Sequence, residues 1–329
     1  MEGKIQLVEQ LVQNDDPAVQ YKTRSLLLGE SESSRAMISL RKQIRQSERA
    51  RRLLSARNAD GTVSAHAYQK WQGPHWTLYS LAQIDYPPGD QSLVPMRDQV
   101  YDWLFEPEHL KFRRSLLIPG QENRFRRCAS QEGNAIWYSL RLGIDDERTR
   151  ELVRRLVAWQ WPDGGWNCDK RPEAKTSSVI ESMIPLRALA LAETRYHDAD
   201  AGRSADRAAE YFLQRKLFRR LHDGKPILKE FFLIHYPIQF YDVLFALLVM
   251  AETGRIKDGR CREALELLRS KQLPCNGFPL EALDATTKTV VCTRGTYADW
   301  GPSGKRNLNP LVTAAALWVL KKAEDTASP

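Results

Sequence analysis

Five short stretches of the chain collect imidazoles, carboxylates, thiols and large aromatic rings: HAYQKWQGPHW (66–76), RRCASQEGN (126–134), WNCDKRPEAKTSSVIES (166–182), FFLIHYPIQFYD (231–242) and TYADWGPSGKRNLNP (296–310). A carboxylate buried among Trp and Tyr has its pKa raised by desolvation and can act as a general acid, while an imidazole relays or removes protons. Asp169, His235 and Asp242 are the first candidates for that chemistry, with Glu132 next. His75, Trp76, Cys128, Asn134, Trp166, Cys168, Tyr236, Tyr241 and Trp300 are expected to line a substrate pocket. The rings among them, with Trp71 and Trp137, offer π faces that steady a positive charge. No cofactor is expected for this chemistry.

A second chemistry draws on the same stretches. Cys128, Cys168, His75 and His235 are ligand types that zinc takes, and three of them plus a water would form an open catalytic site. None forms a close pair such as Cys-x-x-Cys, so their convergence depends wholly on the fold. A third, non-catalytic reading is a helical ring or solenoid whose concave face and basic arm bind a protein or nucleic acid.

The elements that must position these residues repeat. Segments rich in Arg and Glu recur at 47–57, 94–105, 146–160, 203–217 and 258–272. Their distal apolar residues Leu54, Leu104, Val157, Phe212 and Leu268 are separated by steps of 50, 53, 55 and 56 residues. Between them lie segments apolar on more of their circumference, at 75–84, 133–143, 181–193, 241–252 and 312–323. A helix apolar nearly all round must be surrounded by protein, whereas one with a charged stripe can face water. The alternation predicts about five inner–outer helix pairs in an all-α domain over 36–323. A closed ring buries every inner helix, which suits their apolarity better than an open solenoid does. Strand signals are confined to short pieces such as TKTVVCT (287–293).

The chemistry-bearing stretches all lead into inner helices, whose N-termini share one end of such a ring and present unpaired N–H groups there. An apolar pocket is therefore expected at that end. Residues 1–35 read as an N-terminal helical extension, with Asp16 capping and Pro17 opening a second helix that Gly29 ends. Residues 324–329 read as a frayed tail.

Of the 329 residues 42% are hydrophobic, enough for a sizeable core, and no run approaches the length of a membrane span. The start, MEGKIQLVEQLVQNDDPAVQ, lacks a signal-peptide core, so a cytoplasmic location is expected. Five scattered cysteines read as free thiols. The net charge of +8 is concentrated between Lys22 and Arg57 and between Lys111 and Arg127. No groove-reading motif accompanies it, so a solvated basic face is favoured over nucleic-acid binding.

Three outer segments end alike, in RNADGTV (57–63), QWPDGGW (160–166) and QLPCNGF (272–278). Gly suits the left-handed residue that closes a helix, and the large apolar residue beyond packs back on the last turn. Gln160, Gly164 and Trp166 match in full the repeat of the terpenoid cyclase and prenyltransferase superfamily: Gln, three residues, Gly, one residue, Trp. The stretch Gln272, Gly277, Phe278 reads as a copy with one extra residue, and Arg57, Gly61, Val63 keeps only the glycine. Over roughly 45–323 the chain thus resembles a single-domain, squalene-cyclase-like protein. The resemblance implies an α/α toroid acting on an isoprenoid-like hydrophobic molecule. The protonating Asp-any-Asp-Asp motif is absent, with IDDE (144–147) opening an outer helix and HDAD (197–200) in a linker. The Asp…Cys…His zinc pattern and Asp-rich diphosphate motifs are missing as well. The expectation is cyclisation, isomerisation or a related proton transfer in a central cavity.

Overall fold

Short polar residues decide where the helices begin. The structure, a computed structural model, describes residues 2–107, 109, 117–118, 120–169, 171–237, 239 and 241–325. Asp16 accepts a hydrogen bond from the Ala18 amide, with Pro17 at the first helical position. Asp146 and Thr149 form a reciprocal capping box, and Asp198 and Asn309 cap two further helices. In chain order the helices are α1 (Glu2–Val12), α2 (Pro17–Lys22, widening into a π turn over Thr23–Leu28), α3 (Arg35–Gln46), α4 (Glu48–Leu53), α5 (Pro74–Gln83) and α6 (Val94–Phe105). They continue with α7 (Ala129–Leu142), α8 (Glu147–Trp159), α9 (Val179–Tyr196), α10 (Ala199–Gln214), α11 (Val243–Glu252), α12 (Arg262–Ser270) and α13 (Pro310–Glu324). The protein is mainly helical. The described strands are an antiparallel ladder, β1 (Leu117–Ile118) with β2 (Gln121–Phe125), and a parallel one, β3 (Thr286–Thr287) with β4 (Gly295–Thr296).

Apolarity sorts the helices into two classes. Every residue of α11 from Val243 to Ala251 is buried, whereas α12 buries only Ala264, Leu265 and Leu268. The buried class runs α5, α7, α9, α11, α13, each packed on the next, and the first four are each flanked by a helix of the charged class. Helices α7 and α9 approach closely at Gly133, where a Cβ would lie 3.0 Å from both Ile184 Cγ2 and the Pro185 nitrogen. Helix α2 packs on α3 and α13.

The three corners share one construction with a single spacing. Gln160 Nε2 donates to the Gly164 carbonyl at 2.7 Å, and Gln272 Nε2 donates to the Asn276 carbonyl at 2.9 Å. Gly164 stands at φ +98° and Asn276 at φ +65°, so Asn276, not Gly277, takes the left-handed place. The copy at Gln272, Asn276 and Phe278 therefore has no extra residue. Asn is the residue other than Gly that best tolerates this conformation, which is why counting by glycines misaligned it. The parallel extends further: the Trp166 amide donates to Ser182 Oγ of α9, and the Phe278 amide donates to Thr313 Oγ1 of α13, both at 2.9 Å.

Four of the seven basic residues of α3 and α4 are paired with carboxylates. Arg41 pairs with Glu32, Arg45 with Asp90 and Arg52 with Glu48. Arg49 pairs with Asp16, donates to the Asp299 carbonyl and lies over the Trp300 ring. Among the described residues no helix is long and apolar enough to cross a membrane. All five cysteines are free. Of the basic run from Lys111 to Arg127, residues 111–116 and 119 lie outside the described residues, as does the expected tail from Thr326 on.

Candidate functional site

The Trp159–Ser178 corner brings three chain segments into register. The Arg127 amide donates to the Asn167 carbonyl at 2.8 Å, setting residues 126–128 beside 167–168. The Ser178 amide donates to the Trp166 carbonyl and Asn167 Nδ2 to the Thr176 carbonyl, each at 2.8 Å, which docks the start of α9 on the same loop. Cys128 before α7, Cys168 on the loop and Glu181 in the first turn of α9 are thereby placed with their sulfur and carboxylate oxygen atoms all within 4.8 Å of one another. Cys168 Sγ lies 3.7 Å from Glu181 Oε1, and the Ser130 amide donates to the other oxygen, Oε2, at 3.1 Å. The hydrogen bond between the two sulfurs raises the Cys128 thiol and lowers that of Cys168. Burial raises Glu181.

Beside this cluster stand two buried groups with polar atoms that find no hydrogen-bond partner among the described residues. Glu132 is 1% exposed, its Oε1 has no hydrogen-bond partner among the described residues, and burial pushes its carboxyl up to about 7. His75 is fully buried in a cage of Tyr68, Trp76, Trp103 and Tyr138, and neither ring nitrogen has a partner among the described residues. Burial, helped by the nearby Lys70 charge, pushes the imidazole down to about 3, so it is neutral.

A second cluster forms where the loop before α11 meets the loop after α12. The Glu281 and Ala282 amides donate to the Ile234 carbonyl, which draws Asp284 toward His235. Gln72 holds the far side of that loop, donating to the Val290 carbonyl and accepting from the Cys292 amide. Asp242 Oδ1 caps α11 through the Phe245 amide at 2.8 Å. Its Oδ2 accepts from the His235 amide at 2.8 Å and lies 3.1 Å from His235 Nδ1. Burial opposes charge on the imidazole, but the hydrogen bond and charge of Asp242, with Asp284 behind, outweigh it and raise the His235 pKa. Burial also raises Asp242 against the pull of its three donors, so the pair titrates as a unit. Asp284 is pushed up to about 6 by burial, and its Oδ2 has no hydrogen-bond partner among the described residues. Lys70 completes the group. Its ammonium lies 5.2 Å from the Trp71 ring centre and 5.0 Å from that of Trp76, near enough to Asp284 to lower its pKa.

The residues named from sequence separate into three groups. His235 with Asp242, and Cys128 with Cys168, are brought together. Asp169 is not the desolvated acid expected: it is paired with Arg171 at 2.6 Å, and that bond, on an exposed turn, holds its pKa at about 2. The four proposed zinc ligands do not converge, because His75 is caged by rings and His235 belongs to Asp242, while Glu181 stands beside the two thiols. Trp166 and Tyr241 are structural: the indole donates to the Leu156 carbonyl of α8, and the phenol donates to the Leu217 carbonyl. Tyr236 and Trp300 pack ring against ring at 5.2 Å, Trp76 is fully buried and Asn134 is buried on α7. Sequence reasoning passed over Lys70 and Asp284 as site residues, since neither their type nor their loop setting marks them.

A partly open cavity of about 450 Å³ lies at the other end of the inner helices. It is bounded by Gln83 of α5, Trp137 and Arg141 of α7, Arg187 of α9, Glu252 of α11 and Trp318 of α13. Its wall mixes apolar side chains such as Leu248, Leu311 and Trp318 with paired charges: Arg187 pairs with Glu252 through two bonds of 2.6 and 2.7 Å, and Asp85 pairs with both Lys22 and Arg141. Tyr236, next to His235 in the chain, also reaches this wall.

The pKa of Glu132 makes a stability prediction. A carboxyl whose pKa rises from 4.5 to about 7 on folding stabilises the fold below pH 4.5, and that contribution is lost as pH climbs through 7. The loss amounts to about 3 kcal/mol. Denaturant titrations of the wild type and Glu132→Gln at several pH values should show the wild type losing this much relative to the variant. Parallel pH profiles would show that Glu132 is ionised in the fold.

No protein-family model, curated protein or solved structure matches the chain.

Proposed function

We propose that the chain is an α/α-toroid enzyme of the terpenoid-cyclase type, catalysing proton-transfer cyclisation or isomerisation of a hydrophobic, isoprenoid-like molecule. The alternation of buried and charged helices, and the contribution of all five inner helices to one cavity wall, support the ring. The observation that carries the chemistry is the buried His235–Asp242 pair facing Asp284, a carboxyl raised to about 6 whose Oδ2 has no hydrogen-bond partner among the described residues. In this reading Asp284 gives its proton to an alkene carbon, whose π electrons form the new C–H bond and leave a cation. The cation then sheds a proton from a neighbouring carbon to His235, which, oriented by Asp242, passes it to the Asp284 carboxylate and restores the acid. The Trp71 and Trp76 faces that already carry the Lys70 ammonium suit a positive charge at this place. With no Asp-any-Asp-Asp motif in the chain, the acid comes from the loop after α12.

Deuterium from solvent provides the test. The full chain is incubated in D₂O with acyclic isoprenoids from monoterpene to triterpene length, and the products are analysed by mass spectrometry. One deuterium is expected per turnover. His235→Ala and Asp284→Asn should each lower the rate by roughly 10²–10⁴-fold, and Asp169→Asn should leave it unchanged. Absence of incorporation from every substrate, or equal rates in the His235 variant, would sink the proposal.

A further inference from the structure

We infer that Cys128, Cys168 and Glu181 form a binding site for a zinc-like divalent metal ion. The inference stands apart from the proton-transfer reading, which uses the His235 side of the molecule. Three donor atoms from three separate segments converge within 4.8 Å, and each segment is fixed by its own hydrogen bonds. The Arg127–Asn167 bond pins the two cysteine-bearing strands side by side. The Ser182 hydroxyl, through the Trp166 amide, pins α9 beneath the loop. The Ser130 amide holds Glu181 Oε2 so that Oε1 faces Cys168, the outer-shell orientation that metal-binding carboxylates need. A purely structural cluster would have no use for two thiols and a carboxylate facing one another, because neither thiol caps a helix and three acidic groups repel once ionised.

A second feature points the same way. Glu132 lies in the electrostatic field of both Cys128 and Glu181, is 1% exposed, and leaves Oε1 without a partner among the described residues. An unsatisfied buried carboxyl oxygen is costly unless it serves something, and a metal-bound water in an open fourth position would take its hydrogen bond. Tyr68, whose phenol feels Glu181, Cys128 and Cys168 alike, flanks the same space. Two sulfurs and one oxygen within 4.8 Å of one another select zinc over magnesium or calcium, which prefer all-oxygen shells. Three protein ligands describe an open site rather than a closed structural one. On binding, each thiol that enters protonated releases its proton to solvent, and two metal–sulfur bonds and one metal–oxygen bond form.

The test uses the full, reduced chain. Zinc chloride titrated in a calorimeter against a competing chelator should give one site per chain, with proton release revealed by the dependence of the heat on buffer. Cobalt(II) in place of zinc should give the near-ultraviolet sulfur-to-metal charge-transfer band and the intense visible bands of a tetrahedral thiolate site. Cys128→Ser, Cys168→Ser and Glu181→Gln should each weaken zinc binding by more than the roughly 100-fold that loss of an outer-shell partner brings. Cys275→Ser, at an exposed thiol elsewhere, should leave affinity unchanged. Circular dichroism identifies any variant that fails to fold, and the wild-type cobalt spectrum decides independently of all of them. No metal uptake by the wild type, cobalt binding without the charge-transfer band, or a Cys128–Cys168 disulfide that forms in air and is unaffected by added zinc would each overturn the site.

Discussion

Trp166→Ala is expected to lower the unfolding free energy by about 3–5 kcal/mol, the range for truncating a buried large aromatic residue to alanine. The indole is fully buried, its Nε1 donates to the Leu156 carbonyl of α8 at 2.9 Å, and its amide is held by Ser182 of α9. Its loss would open a cavity where α8, α9 and the corner meet and would leave the Leu156 carbonyl without that donor. The corner cannot close around the gap, because Gly164 and Gly165 are already in tight contact. A Cβ at Gly164 would sit 2.4 Å from the Arg207 carbonyl oxygen, and one at Gly165 would sit 2.4 Å from Ser182 Oγ. Urea denaturation of the variant measures the effect. A variant that lost turnover with an unchanged midpoint would assign the corner to catalysis instead. Cys168 lies two residues on from this anchor, so a loosened corner should weaken zinc binding as well as stability.

The helical alternation is legible in the sequence because burial acts on a whole circumference. Nothing in VLFALLVMAE tolerates water before Glu252, whereas REALELLRS carries a stripe of charge. Helix starts are legible for a related reason, since the cap uses one side chain and its nearest amides, as Asp16 and Asp146 do. The His235–Asp242 pair falls in the same class. Seven residues apart, they flank one helix start, and the cap that Asp242 must make also aims it at His235. What escapes the sequence is long-range. Asp284 reaches His235 through the pairing of residues 281–282 with Ile234, and Cys128 reaches Cys168 through the Arg127–Asn167 bond. Asp169 misleads for the opposite reason: it sits beside Cys168, but a local bond to Arg171 turns it to solvent. Proximity in sequence says where a backbone goes, and the nearest strong partner says where a carboxylate goes.

That distinction makes Asp242→Asn the most informative substitution at the proposed catalytic pair. Asp242 satisfies three donors with two oxygens: the Phe245 amide on Oδ1, and the His235 amide and ring nitrogen on Oδ2. Asparagine has one oxygen and an NH₂ group of the same shape. With its oxygen toward Phe245, the NH₂ confronts the His235 amide, donor against donor; flipped, it confronts the Phe245 amide and the cap of α11 is lost. Either orientation leaves a buried donor unsatisfied, at a cost of about 1–3 kcal/mol. The effect on chemistry should be larger. Without the bond and charge of Asp242, burial is opposed only by Asp284 and the Leu233 carbonyl, and the imidazole pKa falls from its raised position. Turnover should fall by roughly 10²–10⁴-fold, and the part of the pH–rate profile that follows the imidazolium should move to lower pH. Asp242→Glu, which restores the charge but not the reach, should recover the position of that limb more fully than the rate. A variant whose rate falls only in proportion to its unfolded fraction, with the limb unmoved, would show Asp242 to be a helix cap and nothing more.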